Sequence, residues 1–130
     1  MTGFFNHCGY TFGPFQDVLR NGAKSPYADW FYIKSFPVKT DPQNYECVGY
    51  YKYMPKMRVS NPEVSNFIID VADYWIRETH IDGWRLDVAD EIDCTFWQYF
   101  RRKLKQKHPH IFLLGETWGN ASKMLQGDQL

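Results

Sequence analysis

Two short apolar runs, Trp84-Arg85-Leu86-Asp87-Val88 and Ile111-Phe112-Leu113-Leu114, each follow a segment with helical periodicity, and this alternation restricts the fold more than any other feature of the chain. Asn61-Pro62-Glu63 combines an N-cap residue, a first-turn proline and an acid at the positive helix end. Val64, Phe67, Ile68, Val71 and Trp75 then recur at helical spacing, which predicts a helix from about Asn61 to Glu78. A second helix is predicted from about Cys94 to Lys107, with Phe96, Phe100 and Leu104 on one stripe and Pro109 as its stop. Ile111 to Leu114 is uniformly apolar, the pattern of a strand buried on both faces. Helix, strand, helix, strand at this spacing predicts a parallel α/β arrangement.

Residues 1 to 60 lack such a period. They are rich in Gly, Pro and aromatic residues and read as a loop-heavy stretch. Gly13-Pro14 and Asn21-Gly22 bracket one short helix around Phe15 to Arg20, and Ser25-Pro26 starts a second turn. Tyr27, Trp30, Phe31, Tyr32, Phe36, Tyr45, Tyr50, Tyr51 and Tyr53 serve either to stack on sugar rings or to fill a small core, and these residues divide evenly between the two roles.

Charge and cysteine content exclude several functions. Fifteen basic residues against fifteen acidic ones leave no electrostatic footprint for nucleic acid or an anionic membrane. The run Arg101-Arg102-Lys103 with Lys105 and Lys107 reads as the solvated face of a helix. Cys8, Cys47 and Cys94 are odd in number and far apart, so neither a disulfide framework nor a zinc site is expected, and a reducing, cytoplasmic setting fits. There is no 18-residue apolar run, and residues 1 to 7 lack the features of a signal peptide. His108-Pro109-His110 has no third ligand nearby and reads as a solvated turn, so no metal is expected.

Asp87 and Glu116 stand at the ends of the two strands, 29 residues apart, close to one strand-helix repeat. Successive parallel strands point the same way, so both acids would face one mouth, where such folds carry their chemistry. Spacing alone leaves an equal alternative, in which each acid caps the following helix or binds an arginine. Arg85, two residues before Asp87, projects to the same side and would favour its ionised form. Glu116 sits between the apolar run and Trp118, a setting expected to raise its pKa and suit a proton donor. A carboxylate and a carboxylic acid so paired are what retaining glycoside hydrolysis requires.

Gly83-Trp84-Arg85-Leu86-Asp87-Val88-Ala89 resembles the nucleophile motif of the α-amylase superfamily, glycoside hydrolase family 13, and Leu114-Gly115-Glu116-Thr117-Trp118 resembles its acid/base motif. Phe5-Asn6-His7 resembles the end of its first motif, at the third barrel strand, and Met54-Pro55-Lys56 the marker of the neopullulanase, cyclomaltodextrinase and maltogenic amylase group. The resemblance covers essentially the whole chain. It implies part of a (β/α)8 barrel: residues 1 to 60 as the end of strand three and the irregular insertion, domain B, and residues 61 to 130 as helix three to the start of helix five.

It further implies Asp87 as nucleophile, Glu116 as general acid/base, Arg85 as the partner orienting Asp87, and His7 as a hydrogen-bonding partner of the reacting sugar. Val88, Asp90 and Glu91 would lie beside the acceptor subsites, and Trp118 would contact substrate. Asp90 stands where this group usually has Asn, Met57-Arg58 where the marker usually has Leu-Asn, and Thr2 where the first motif usually begins with Asp. The motif that supplies the third acid is not among the 130 residues. A closed barrel takes roughly 250 residues, so the chain is expected to be inactive alone. The substrates implied are cyclodextrins, maltooligosaccharides or pullulan. Calcium and a homodimer remain open for the full-length parent. The alternatives are a non-catalytic truncated paralogue with weak oligosaccharide binding, or a piece of an α-amylase or an oligo-1,6-glucosidase.

Overall fold

A computed structural model describes residues 1–130. The regular elements, in chain order, are β1 (Thr2–Gly3), α1 (Gly13–Asn21), α2 (Pro62–Thr79), β2 (Gly83–Leu86), α3 (Cys94–Lys107) and β3 (Phe112–Gly115). Their ends follow local chemistry. The Asn61 side chain accepts a hydrogen bond from the Glu63 amide at 2.9 Å to start α2, and His80, left-handed at φ 51°, ends it with its N–H on the Ile76 carbonyl. Asp93 caps α3 through the Thr95 amide at 2.7 Å.

The three strands form one parallel sheet in the order β1-β2-β3, with Thr2 opposite Arg85 and Arg85 opposite Leu114. Trp84, Leu86 and Leu113 point to one face and are buried in a common core with Val64, Ile68, Ala72 and Ile76 of α2 and Phe96, Phe100 and Leu104 of α3. Gly83 is required where β2 meets β3, because a Cβ there would lie 2.4 Å from the Phe112 carbonyl oxygen.

The opposite face is open, and two expectations change. β3 is not buried on both faces: Ile111 and Leu113 are, but Phe112 is 63% and Leu114 52% exposed. Side chains alternate across a strand, and only one side of this sheet carries helices. β2 also ends at Leu86, because Val88 adopts φ 46°, ψ 50° and turns the chain out of the strand direction.

Outside α1, residues 4 to 60 are irregular but well packed. Isolated antiparallel bridges join Phe31 to Met57, Ile33 to Tyr45 and Cys47 to Pro55. Phe15 of α1 is fully buried, with the Phe31 and Tyr45 rings at 5.1 and 4.9 Å. Burying a ring of this kind contributes about 2–3 kcal/mol. Trp30, Phe31 and Tyr45 belong to this core, Tyr27 and Tyr32 are half-buried, and Phe36, Tyr50, Tyr51 and Tyr53 are exposed. The turn foreseen after Ser25-Pro26 is the 3₁₀ turn Ala28–Trp30.

His108 is more than part of a solvated turn. Its Nε2 lies 2.7 Å from Oδ1 of the buried Asp73 on α2, while Lys107 and Arg77 reach Oδ2 at 3.1 and 3.3 Å. Burial opposes the Asp73 charge, but hydrogen bonds from His108 and Lys107, with the Lys107 and Arg77 charges, outweigh it and hold the carboxyl below its ordinary value. The stability this gives is therefore present above about pH 4 and is lost as pH falls through the lower folded-state value. Asp73→Asn is expected to remove about 1 kcal/mol at neutral pH, since Lys107 and Arg77 are over half exposed and screened. Urea midpoints measured across acidic pH should fall less steeply for the variant than for the parent chain.

Candidate active site

The turn at Val88 builds the site. The Asp87 amide still bonds to the Gly3 carbonyl at 3.0 Å and the Glu116 amide to the Leu86 carbonyl at 2.8 Å, so both acids emerge at the carboxyl end of the sheet. The left-handed Val88, unusual for a β-branched residue, points its own N–H at Glu116 Oε2, 3.4 Å away. Arg85 reaches both acids, with Nη1 3.0 Å from Asp87 Oδ1 and Nη2 2.7 Å from Glu116 Oε2. A single guanidinium thus bridges the two carboxyl groups, with one terminal nitrogen on each.

The pKa shifts of the two acids run opposite to the expected ones. Burial raises the Asp87 pKa, the adjoining Glu116 raises it further, and Arg85 does not offset them. Glu116 is held below its ordinary value by its contact with Asp87, the Val88 amide, the Trp118 indole N–H at 3.3 Å and the Arg85 charge. The contact with Asp87 is the largest influence on Glu116 and burial the largest on Asp87, whose side chain is the less exposed of the two. The two carboxyls interact closely and titrate as a pair, with Asp87 shifted up and Glu116 shifted down.

The other expected residues fall around this pair in different ways. His7 is buried, and desolvation lowers its pKa against the opposing charges of Asp87 and Glu91, so the neutral ring is favoured. Trp118 is 80% exposed beside Glu116, to which it donates its indole N–H. The Val88 side chain is buried, and its left-handed backbone shapes the turn between the two acids. Asp90 Oδ2 accepts the amides of Trp118 and Gly119 at 3.0 and 2.9 Å and pins the loop after Glu116. Glu91 meets Lys56 Nζ and Asn6 Nδ2, each at 3.3 Å.

Lys56 and Asn6 were visible only as motif letters, and the structure explains their co-occurrence. The Met57 amide bonds to the Asn6 carbonyl and the Cys8 amide to the Pro55 carbonyl, both at 3.0 Å, so the Met54-Pro55-Lys56 marker is the backbone partner of Asn6-His7. A cavity of about 480 Å³ opens beside this pairing, lined by Asn6, Tyr32, Lys56, Glu91, Phe96 and Tyr99 among others. It excludes Asp87 and Glu116, which face the uncovered side of the sheet.

The Asp90 clamp has a measurable consequence. Asp90→Ala is expected to speed hydrogen exchange at the Trp118 and Gly119 amides by about tenfold. Asp90→Asn keeps an accepting oxygen and should leave their protection nearly unchanged.

Consecutive parallel strands, helices packed on one face only and two acids at the strand ends define a segment of a (β/α)8-barrel enzyme. The chain belongs to the alpha-amylase family: the family model for the alpha amylase catalytic domain matches residues 1–127. It is 56% identical over 126 residues, 96% of this chain and 21% of the relative, to a cyclomaltodextrinase of Geobacillus thermopakistaniensis. It is 50% identical over 127 residues, 96% of this chain and 22% of the relative, to neopullulanase 2 of Thermoactinomyces vulgaris. Among solved structures, the cyclic alpha-maltosyl-(1→6)-maltose hydrolase of Arthrobacter globiformis, in complex with that cyclic sugar, superposes with a TM-score of 0.90 at 42% identity, covering 96% of this chain and 28% of that one. The chain spans about a fifth of the length of the curated relatives it matches.

Proposed function

We propose that these residues are the strand-three to strand-five segment of a retaining hydrolase of α-glucosidic bonds, acting on cyclodextrins, maltooligosaccharides or pullulan. The observation that carries this reading is the Arg85 guanidinium between Asp87 and Glu116 at the mouth of adjacent parallel strands. Asp87 attacks the anomeric carbon and forms a glycosyl ester as Glu116 gives its proton to the departing oxygen. Glu116 then takes a proton from water, which attacks the same carbon and releases Asp87. Arg85 holds Asp87 in line, His7 hydrogen-bonds the reacting sugar, and Trp118 and Glu91 flank the sugar beyond the cleaved bond. The names of the relatives support the substrate class.

No cofactor enters these steps. No group of three or more His, Cys, Asp or Glu side chains converges on one position, and calcium in the full-length parent is a proposal. No helix is long and apolar enough to cross a membrane. The cytoplasm is the proposed location, supported by three free cysteines, and a homodimer is proposed for the full-length parent.

A barrel-length protein carrying this segment is expected to hydrolyse β-cyclodextrin to maltooligosaccharides, and the 130 residues alone are expected to show no turnover, because the sheet face beneath the acids is open. Reducing-sugar release from both proteins tests this. No turnover of any α-glucan by the barrel-length protein would overturn the reading.

A further inference from the structure

Asn6 and His7 are buried side by side, and the His7 Nδ1 is hydrogen-bonded to the Asn6 Oδ1. On its other side, the Asn6 Nδ2 donates to Glu91 Oε2 at 3.3 Å, and Lys56 Nζ meets the same oxygen at 3.3 Å. An ionised carboxylate can only accept, so the amide must turn its NH₂ group toward Glu91 and its oxygen toward His7. An accepting oxygen at Nδ1 demands that the neutral ring carry its proton there. The flipped amide would set oxygen against carboxylate and NH₂ against Nδ1, forcing the proton to Nε2. Glu91 therefore chooses between an accepting and a donating Nε2, and Nε2 is the ring nitrogen with no hydrogen bond inside the chain.

We propose that Glu91 is a positioning residue that acts through the Asn6 amide to hold His7 as the Nδ1–H tautomer, so that His7 accepts a hydrogen bond from a sugar hydroxyl at Nε2. Only the identity of that hydroxyl rests on the α-glucosidase reading; the tautomer does not. The backbone pairing of residues 6 to 8 with 55 to 57 brings Lys56 to the relay, with its Nζ 3.3 Å from the Glu91 oxygen that accepts from Asn6. Lowering of the His7 pKa by burial supports a neutral ring.

The test is long-range ¹H–¹⁵N NMR of the 130-residue chain labelled in its four histidines, with His7→Gln assigning the signal and His108 reporting folding. The expected spectrum shows His7 protonated at Nδ1, shifting to a mixture of tautomers in Glu91→Gln. An Nε2–H tautomer in the parent chain, or no change in Glu91→Gln, overturns the proposal. A second arm uses the barrel-length protein. Glu91→Gln should lower kcat/KM on maltotriose about tenfold in the parent and less than about twofold in a His7→Gln background, since both changes remove one relay. A merely structural Glu91 would give additive losses, which would also overturn the proposal whether or not the isolated chain folds.

Discussion

Asp87→Asn in a barrel-length protein carrying this segment is expected to reduce kcat on β-cyclodextrin by on the order of 10⁴- to 10⁶-fold while the melting temperature stays nearly constant. The activity falls because an amide oxygen cannot form the glycosyl ester, and the remaining groups only bind and polarise the substrate. The stability survives because the variant oxygen still accepts from Arg85 Nη1, as Asp87 Oδ1 does at 3.0 Å. Burial already disfavours the Asp87 charge, so replacing it by a neutral group of the same shape removes a desolvation penalty. A loss of less than about a hundredfold, with contaminating enzyme excluded, would remove Asp87 from the nucleophile's role.

The elements legible in the sequence are those whose causes are local. Asn61 and Asp93 cap their own helices, and the apolar stripes of α2 and α3 can be counted along the chain. The acids at the strand ends were legible too, because strand polarity and a repeat length place them without knowledge of side-chain angles. β1 is two residues long and exists only through its pairing with β2, so no local pattern announces it. The exposure of Phe112 and Leu114 depends on which face of the sheet carries helices, and an apolar run reads the same whether its far side is packed or open. The contact between the Met54-Pro55-Lys56 marker and Asn6-His7 links residues about fifty positions apart, and pairing at that range leaves no periodic trace. Val88 hid its role because a left-handed conformation is not expected of a β-branched residue. The pKa directions of the two acids were not legible for a related reason: they depend on burial and on the contact between Asp87 and Glu116, which the residues flanking either acid do not describe.

Glu116→Gln separates the two acids because each step of retention needs a different form of that residue. In the barrel-length protein, hydrolysis of maltooligosaccharides should fall about 10²- to 10⁴-fold, the usual contribution of a general acid. α-Glucosyl fluoride needs no protonation of its leaving group, so the variant should still form the Asp87 ester in a rapid burst and then stall without a base for water. Azide needs no base. It should restore turnover and give the α-glucosyl azide, since displacement by Asp87 and then by azide inverts the anomeric carbon twice. Asp87→Asn with azide should give the β-anomer through a single inversion. The upward shift of Asp87 and the downward shift of Glu116 in the open sheet would suit the opposite assignment, and the anomers decide between the two. Arg85 touches both acids and does not distinguish them; a closed barrel would strip water from Glu116, the more exposed carboxyl, and raise its pKa. An α-azide from Glu116→Gln establishes Asp87 as nucleophile, whereas a β-azide from that variant, with the α-anomer from Asp87→Asn, exchanges their roles.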